Sequence, residues 1–337
     1  MFEGFANVWT PVVSTRELGT RPVGTKLAGE PIVLFRDKKG GVGALLDRCP
    51  HRGVALSLGE VNEEGCLECP FHGWAFRADG ACAHIPLNPI AEEKRDRYAA
   101  TGLPVREKGG LVWVFTGLDA AGTEPEPAPA LVEPGWTISF IAETWSAHWT
   151  RAMENMLDMP HLPFVHRRSI GRDLRSKLRR DSVMKCDVEP TPWGAEIHAS
   201  FEGAPAGAGL AWRRPNGMEL RIMKDRWHGQ IFCVPVDADH TRMIFGFART
   251  FLGNRVFSWI SDRLNQRIGG EDRAVVESSM PREVPPPAEE LSVATDAPTL
   301  YFRRYYYREL RGSSTTLVPA SRLAARKTPQ DGPIAAE

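Results

Sequence analysis

The sequence carries no excess charge of either sign: 42 lysine and arginine residues balance 42 aspartate and glutamate residues over 337 positions. That balance argues against a global attraction to nucleic acid or to an anionic membrane and leaves only local patches. No apolar run approaches the roughly 20 residues that span a bilayer. The opening Met1-Phe2-Glu3-Gly4-Phe5 lacks the basic start, apolar stretch and small-residue cleavage site of a secretory signal. Six cysteines are too sparse for a disulfide framework. Also missing are an internal repeat and a Gly-x-Gly-x-x-Gly dinucleotide fingerprint. A cytoplasmic protein of ordinary globular composition is expected, long enough for two domains with sizeable cores.

Against these absences, two short stretches stand out. Cys49-Pro50-His51-Arg52-Gly53 is answered, with seventeen residues between His51 and Cys69, by Cys69-Pro70-Phe71-His72-Gly73-Trp74. Each offers one thiolate and one imidazole, beside glycines and prolines that favour tight turns able to approach a cofactor closely. Two cysteines on one iron and two histidines on the other would make a Rieske-type [2Fe-2S] centre, its potential raised because neutral imidazoles replace anionic thiolates. Structural zinc is the competing reading, since Cys66 and Cys69 form a Cys-x-x-Cys pair. Cys66, Cys82, Cys186 and Cys233 are otherwise expected to be buried apolar residues.

From Trp9 to about Gly117 the pattern is short, β-rich and punctuated by turns, which predicts a small antiparallel domain over residues 1–118 with the two loops at hairpin ends and Gly110 to Phe115 as a buried closing strand. Residues 119–135 are rich in proline and read as a linker that excludes helix and central strand. The second domain is expected over 136–310. It begins with a strand to Thr144 and a helix to Asp158 broken by Pro160 and Pro163, and continues with strands at 182–188, 195–201, 218–227, 230–236 and 242–250. A late helix from Arg255 to about Met280 carries Val256, Ile260, Leu264 and Ile268 four apart, a stripe expected to pack onto the sheet. Residues 311–337 read as a flexible tail. The fold class is therefore α+β.

His161 and His166 stand five apart near Asp158. On an unbroken helix that spacing turns them about 140° away from each other, but Pro163 between them ends the helix. Two imidazoles and a carboxylate make the facial triad that holds non-haem iron(II) with open positions. Asp272, after Gly269-Gly270 where a flexible backbone would let it turn inward, is the candidate third ligand, with Glu271 as the fallback. Arg167 to Arg180 holds seven basic residues against one acid, Asp173, and reads as a solvated face, a dock for an acidic electron-transfer partner or an attractor of anionic substrate.

With both signatures present, the paired Cys-x-His and Cys-x-x-His arms and Asn155-x-x-Asp158-x-x-His161 followed by His166, the chain resembles the catalytic subunit of a Rieske non-haem iron oxygenase from about Trp9 to Leu310. The resemblance implies an all-β Rieske domain followed by a helix-grip catalytic domain with a curved antiparallel sheet. It implies that Cys49, His51, Cys69 and His72 bind the cluster and that His161, His166 and Asp272 bind mononuclear iron. Asp158 would bridge His161 to a cluster histidine of the neighbouring subunit in a homotrimeric ring. The implied activity is that of a terminal oxygenase: NAD(P)H electrons arrive through a reductase, directly or by way of a ferredoxin, and dioxygen is used to hydroxylate or oxidatively demethylate an organic, aromatic or cyclic substrate. Neither a nucleic-acid nor a membrane partner is expected. Cis-dihydroxylation of an aromatic ring is the alternative within the family; a Rieske electron carrier and a zinc-stabilised binding protein are alternatives from other classes. Where family members often carry Asn-Trp-Lys, this chain has His148-Trp149-Thr150, so His148 reads as a supporting, substrate-facing or core residue. Trp212, Trp227 and Phe232 read as core or pocket lining.

Overall fold

The computed structural model describes residues 1–205 and 208–316; of Arg255 and Val256 only the backbone is described. Its N-terminal part holds three small antiparallel sheets. Strands Trp9–Ser14, Leu111–Phe115 and Val105–Lys108 form the first, and Val23–Leu27, Glu30–Arg36 and Val42–Leu46 the second. The third pairs the short segments Glu60–Val61, Leu67–Glu68, Ala75–Phe76 and Cys82–His84. The expected closing strand is Leu111–Phe115, buried along its whole length between two partners.

The C-terminal part is organised by one large antiparallel sheet. Its spatial order runs Thr137–Trp145, Thr241–Arg249, Trp227–Pro235, Gly217–Met223, Gly209–Arg213, Gly194–Phe201 and Met184–Thr191, with Ala204–Pro205 added beside Gly194–Phe201. The Gly209–Arg213 strand escapes sequence reading because it is short and follows a glycine- and alanine-rich stretch. Helices α1 (Trp149–Leu157), α2 (Leu162–Val165), α3 (Arg172–Lys177), α4 (Arg255–Val276) and α5 (Ala297–Tyr305) complete the fold.

Strand periodicity explains how this sheet joins the two halves of the chain, because successive residues point to opposite faces. Ile231 and Cys233 pack with Trp149, Met153 and Phe302 of the helices, whereas their neighbours Phe232 and Val234 pack with Trp113 and Val114 of the N-terminal part. The contact is also hydrogen-bonded: buried Asn216 donates to Thr10 Oγ1 and to the Cys233 carbonyl, both at 3.0 Å.

Three expectations need correction. Residues 119–135, read as a linker without helix, hold a short helical turn and pack closely: Pro129–Leu131 forms a 3-10 turn with Ala130 and Leu131 buried, and the Ala128 N–H donates to Gln230 Oε1 at 3.1 Å. Proline excluded an α-helix but pre-set the first residue of this shorter turn. The supposed tail is fixed as far as Thr316, since Thr315 Oγ1 donates to the Thr116 carbonyl (2.8 Å) and Met1 donates to the Thr315 carbonyl (2.9 Å); residues 317–337 lie outside the described residues. Most instructive is α4. Ile260 and Leu264 are 51% and 53% exposed, while Ser261, Gly269, Asp272 and Val276 face inward. The side chain of Val256 lies outside the described residues.

The inward face of α4 is small and polar because polar partners await it. Asp262 accepts from Ser139 Oγ at 2.9 Å. A Cβ on Gly269 would sit 3.3 Å from both Glu143 Oε1 and Phe245 Cζ, so this glycine permits close approach of helix and sheet. The backbone does not bend at Gly269-Gly270; α4 runs through it without interruption.

Candidate metal centres

The two cysteine-histidine loops are built alike. Cys49 N–H donates to the Val54 carbonyl and Cys69 N–H to the Trp74 carbonyl, each at 2.8 Å. Gly53 N–H returns to the Cys49 carbonyl (2.9 Å) and Gly73 N–H to the Cys69 carbonyl (3.0 Å). Both glycines are left-handed, with φ of +75° and +68°, which a side chain would strain. Only the second loop closes a hairpin, between Leu67–Glu68 and Ala75–Phe76; the first runs from Val42–Leu46 into the 3-10 turn Leu56–Leu58.

These loops sort their donors by polarity. Cys49 and Cys69 are 3% and 2% exposed, whereas His51 is half-buried and His72 exposed. The imidazoles lie side by side, ring centroids 4.7 Å apart, and His51 stacks on Trp74 at 4.6 Å. Burial, with the Cys69 sulfur beside it, pushes the Cys49 thiol up to about 11. A metal centre that binds both as thiolates would remove that penalty. Two buried sulfurs on one side and two adjacent outer imidazoles on the other are the donor set of a [2Fe-2S] cluster with unlike irons. Cys66 is buried ahead of strand Leu67–Glu68, its N–H held by Asn62 Oδ1 at 3.0 Å, and belongs to neither ligand loop.

The second centre is assembled around α2. His161 precedes this single turn and His166 follows it, so the turn brings their rings to 5.2 Å between centroids. Gly171 closes behind His166: its N–H donates to the His166 carbonyl at 3.0 Å, and a Cβ there would meet the Leu162 carbonyl oxygen at 1.9 Å. Nothing in the sequence marked this glycine apart from the many others.

From α4, Asp272 Oδ1 reaches 3.4 Å from His161 Nε2 and 3.0 Å from His166 Nε2. Donor atoms of the three residues all lie within 4.8 Å of one another. Asp272 is 5% exposed, yet Oδ1 has no well-directed hydrogen bond. Burial would raise its carboxyl, but the two imidazoles outweigh it and hold it down to about 2. Three converging donors with an otherwise unsatisfied buried oxygen fit a divalent metal of the iron(II) type.

The outer nitrogens of both rings are engaged, which leaves Nε2 for a metal. His166 Nδ1 donates to Glu271 Oε2 at 2.8 Å, and Ser169 Oγ donates to the same oxygen at 2.6 Å. Sequence reading held Glu271 only as a fallback ligand; it is instead an orienting group, and neighbours on one helix take different roles because about 100° of rotation separates them. His161 Nδ1 donates to the backbone carbonyl of Asp158. The expected carboxylate contact is therefore replaced by a carbonyl one, and Asp158 is not on a helix face: it caps α1 in an extended conformation. Its half-buried carboxyl stays free of His161 Nδ1, and burial pushes it upward.

His148 lies elsewhere. It caps the start of α1, its Nδ1 2.7 Å from Thr150 Oγ1, and burial drives it down to about 4. Trp212 and Phe232 are core, 1% and 3% exposed, whereas half-buried Trp227 has an Nε1 without a partner among the described residues. The basic run is mostly exposed: Lys177 pairs with Asp173 (2.6 Å), Arg175 lies over Phe164 (5.4 Å), and Arg167 and Arg168 line a shallow cleft with Arg267 and Glu271.

Comparison with known proteins agrees with this division. The Rieske [2Fe-2S] domain family model matches residues 8–93, and the vanillate O-demethylase oxygenase C-terminal domain model matches 145–228 and 218–310. The chain is 36% identical over 186 residues to the 3-chlorobenzoate-3,4-dioxygenase oxygenase subunit of Comamonas testosteroni, covering 55% of this chain and 42% of that protein. It is 34% identical over 178 residues to the 5,5'-dehydrodivanillate O-demethylase oxygenase subunit of a Sphingobium species, covering 49% and 40%. The chain thus spans less than half the length of these curated relatives. NdmB of Pseudomonas putida CBB5 superimposes with a TM-score of 0.72 at 26% identity, over 89% of each chain. Dicamba monooxygenase bound to dicamba shares the fold at a TM-score of 0.74 and 21% identity, over 95% of this chain and 98% of that one. Among the described residues no helix is long and apolar enough to cross a membrane. With one family model on the segment that carries the paired cysteine-histidine loops and the other on the segment that carries the His161, His166 and Asp272 cluster, the chain belongs to the Rieske non-haem iron oxygenases.

Proposed function

We infer that this chain is a cytoplasmic terminal oxygenase component that hydroxylates or oxidatively demethylates an aromatic or cyclic organic substrate. The observation that carries the reading is the presence, in one chain, of a four-donor cluster site and a separate three-donor site of facial-triad type. Cys49, His51, Cys69 and His72 would hold the [2Fe-2S] cluster, and His161, His166 and Asp272 the mononuclear iron. When bound, these groups would supply electron storage at the first site and dioxygen activation at the second.

The chain's own residues provide position and shelter. Glu271 and the Asp158 carbonyl fix both imidazoles with Nε2 inward. Asp272 stays ionised, as a ligand must. Ile231, Phe245 and Met218 form an apolar wall on the same side of the sheet as α1, which suits a substrate held mainly by its hydrocarbon part. A demethylase or hydroxylase reading is favoured by the match to the vanillate O-demethylase C-terminal domain; cis-dihydroxylation of an aromatic ring is the alternative, and several relatives are named dioxygenases. Incubation under labelled dioxygen with a panel of methoxylated and unsubstituted aromatic acids tests this. Loss of the methyl group, or one labelled hydroxyl, is expected; a labelled cis-diol would select the alternative.

Electrons come from a separate reductase, directly or through a ferredoxin, because the chain carries no dinucleotide fingerprint. NAD(P)H and the purified chain alone should give no product.

The working unit is a head-to-tail homotrimer in which the Asp158 carboxylate meets a cluster histidine of the neighbouring chain. Exposed apolar residues beside both centres support it: Phe71 is 59% exposed next to His72, and Phe164 is 56% exposed between His161 and His166. Mixed rings of Asp158→Asn chains, which keep their cluster, with Cys49→Ser chains, which keep Asp158 and the triad, should regain part of the activity that each parent lacks. Verified mixed rings no more active than either parent would exclude transfer between chains.

A further inference from the structure

A cleft of about 630 Å³ opens between the N-terminal segment, the end of strand Gly209–Arg213 and α5, and none of its lining residues belongs to either metal centre. That volume falls within the roughly 300–1,000 Å³ usual for small-molecule sites. Its floor is deep in the protein: Trp212, Ala6 and Leu310 are 1%, 3% and 2% exposed. Tyr305 and Tyr301 pack edge-on against Trp212 with ring centroids 5.0 and 6.0 Å from it, so a buried tryptophan backs two half-buried aromatic rings in the cleft.

The rim is cationic. Tyr301, Arg304, Tyr305 and Arg308 follow the i, i+3, i+4, i+7 spacing of one helix face, and beyond Tyr305 the helix continues as a π-turn over Tyr306–Leu310. Arg304 lies over Tyr301 at 5.7 Å and Arg214 over Tyr305 at 5.6 Å. Arg214 spends one N–H on the Thr191 carbonyl at 3.3 Å. All three guanidiniums are exposed, and among the described residues none has a carboxylate within ion-pair distance. Glu309 is the one acid in the lining. Neither the Tyr301 nor the Tyr305 hydroxyl has a protein partner among the described residues. The cleft therefore offers hydrogen-bond donors in excess, flat aromatic walls and a net positive field.

We propose that this cleft binds a planar organic anion, a ring bearing a carboxylate or a phosphate, with the ring against the half-buried Tyr301 and Tyr305 and the acid group on Arg214, Arg304 and Arg308. A guanidinium fork matches the paired oxygens of either acid, and the cation-bearing rings favour stacking over a purely electrostatic contact. A cationic or neutral ligand would leave the three guanidiniums unanswered.

The test is calorimetric titration of the full chain, with its metals bound, using 2-naphthoate, 2-naphthyl phosphate and the neutral 2-naphthamide as probes. At least one anion should bind about tenfold more tightly than the amide, the margin expected of a charge-assisted contact. Arg304→Gln/Arg308→Gln should remove that advantage while leaving the cluster spectrum and melting temperature unchanged. Because the double variant changes α5, the single Arg214→Gln variant, on a different element, gives an independent reading and should weaken the anion several-fold. Tighter binding of the phosphate assigns a phosphate ester, and tighter binding of the carboxylate an aryl acid; either supports the site. No binding of the anions, equal affinity for the amide, or anion affinity unmoved in both folded variants overturns it.

Discussion

The two metal centres solve the same problem in opposite ways. The cluster loops are local: each closes on itself through two backbone hydrogen bonds and a left-handed glycine, and all four donors fall between Cys49 and His72. The second centre is long-range, since His166 and Glu271 are 105 positions apart and meet only because α1, α2 and α4 are held on one side of the large sheet. The first keeps its imidazoles toward solvent; the second buries His166 and Asp272 almost completely. An outward imidazole suits exchange with a partner surface, whereas a buried triad suits chemistry that must exclude water. The local centre should therefore tolerate changes in the sheet and fail on a single loop substitution, and the distant one should be tunable by residues that touch no metal.

Breaking the local centre should give the largest effect. Cys69→Ser removes a buried thiolate donor and is expected to abolish the visible cluster spectrum and all activity, whereas Cys66→Ser, three positions earlier, should leave both intact. A cluster lost in Cys66→Ser would reopen the zinc-type pairing.

Next in size, His161→Ala and Asp272→Ala should each cost about one iron atom per chain and the oxygenase reaction. The cluster spectrum should persist, because the two centres share no ligand. Full iron retention in Asp272→Ala would remove Asp272 from the triad.

Glu271→Gln sharpens the comparison. The amide can still accept from His166 Nδ1 but carries no charge, so a loss of about 10–100-fold in iron affinity or rate is expected. Ser169→Ala, which deletes the second donor to the same oxygen, should cost less. The measurement is iron retention under chelator challenge; a Glu271→Gln variant indistinguishable from the parent would reduce the contact to a packing detail.

The smallest contrast lies on α4 itself. Ile260→Gln on its exposed face should shift stability by no more than about 0.5 kcal/mol. Gly269→Leu, forced against Phe245 and Glu143, should lower the melting temperature by several degrees, on the order of 1–3 kcal/mol. The reverse ranking in thermal melts would restore the stripe that the spacing of Ile260 and Leu264 suggested.

What the sequence determined by itself was whatever a short stretch can close alone. The spacing of Cys49, His51, Cys69 and His72 already implied two matched turns, Pro163 already implied a break between His161 and His166, and strand segments in series already implied an antiparallel sheet. The tertiary structure decided everything that depends on rotation about an element's axis or on contact across the chain. Asp272 and Glu271 are adjacent carboxylates, and only the phase of α4 against α2 makes one a ligand candidate and the other its neighbour's support. Ile260 and Leu264 have the spacing of a core stripe, but Asp262 and Gly269 found Ser139 and Phe245 on the sheet, which turned the apolar face outward. Asp158 sits where its carboxylate was expected to hold His161, yet α1 ends one residue earlier and presents a carbonyl instead. Local spacing limits which groups can meet, and packing of whole elements chooses among them, because the choice minimises buried, unpaired polar atoms across the structure rather than within a segment.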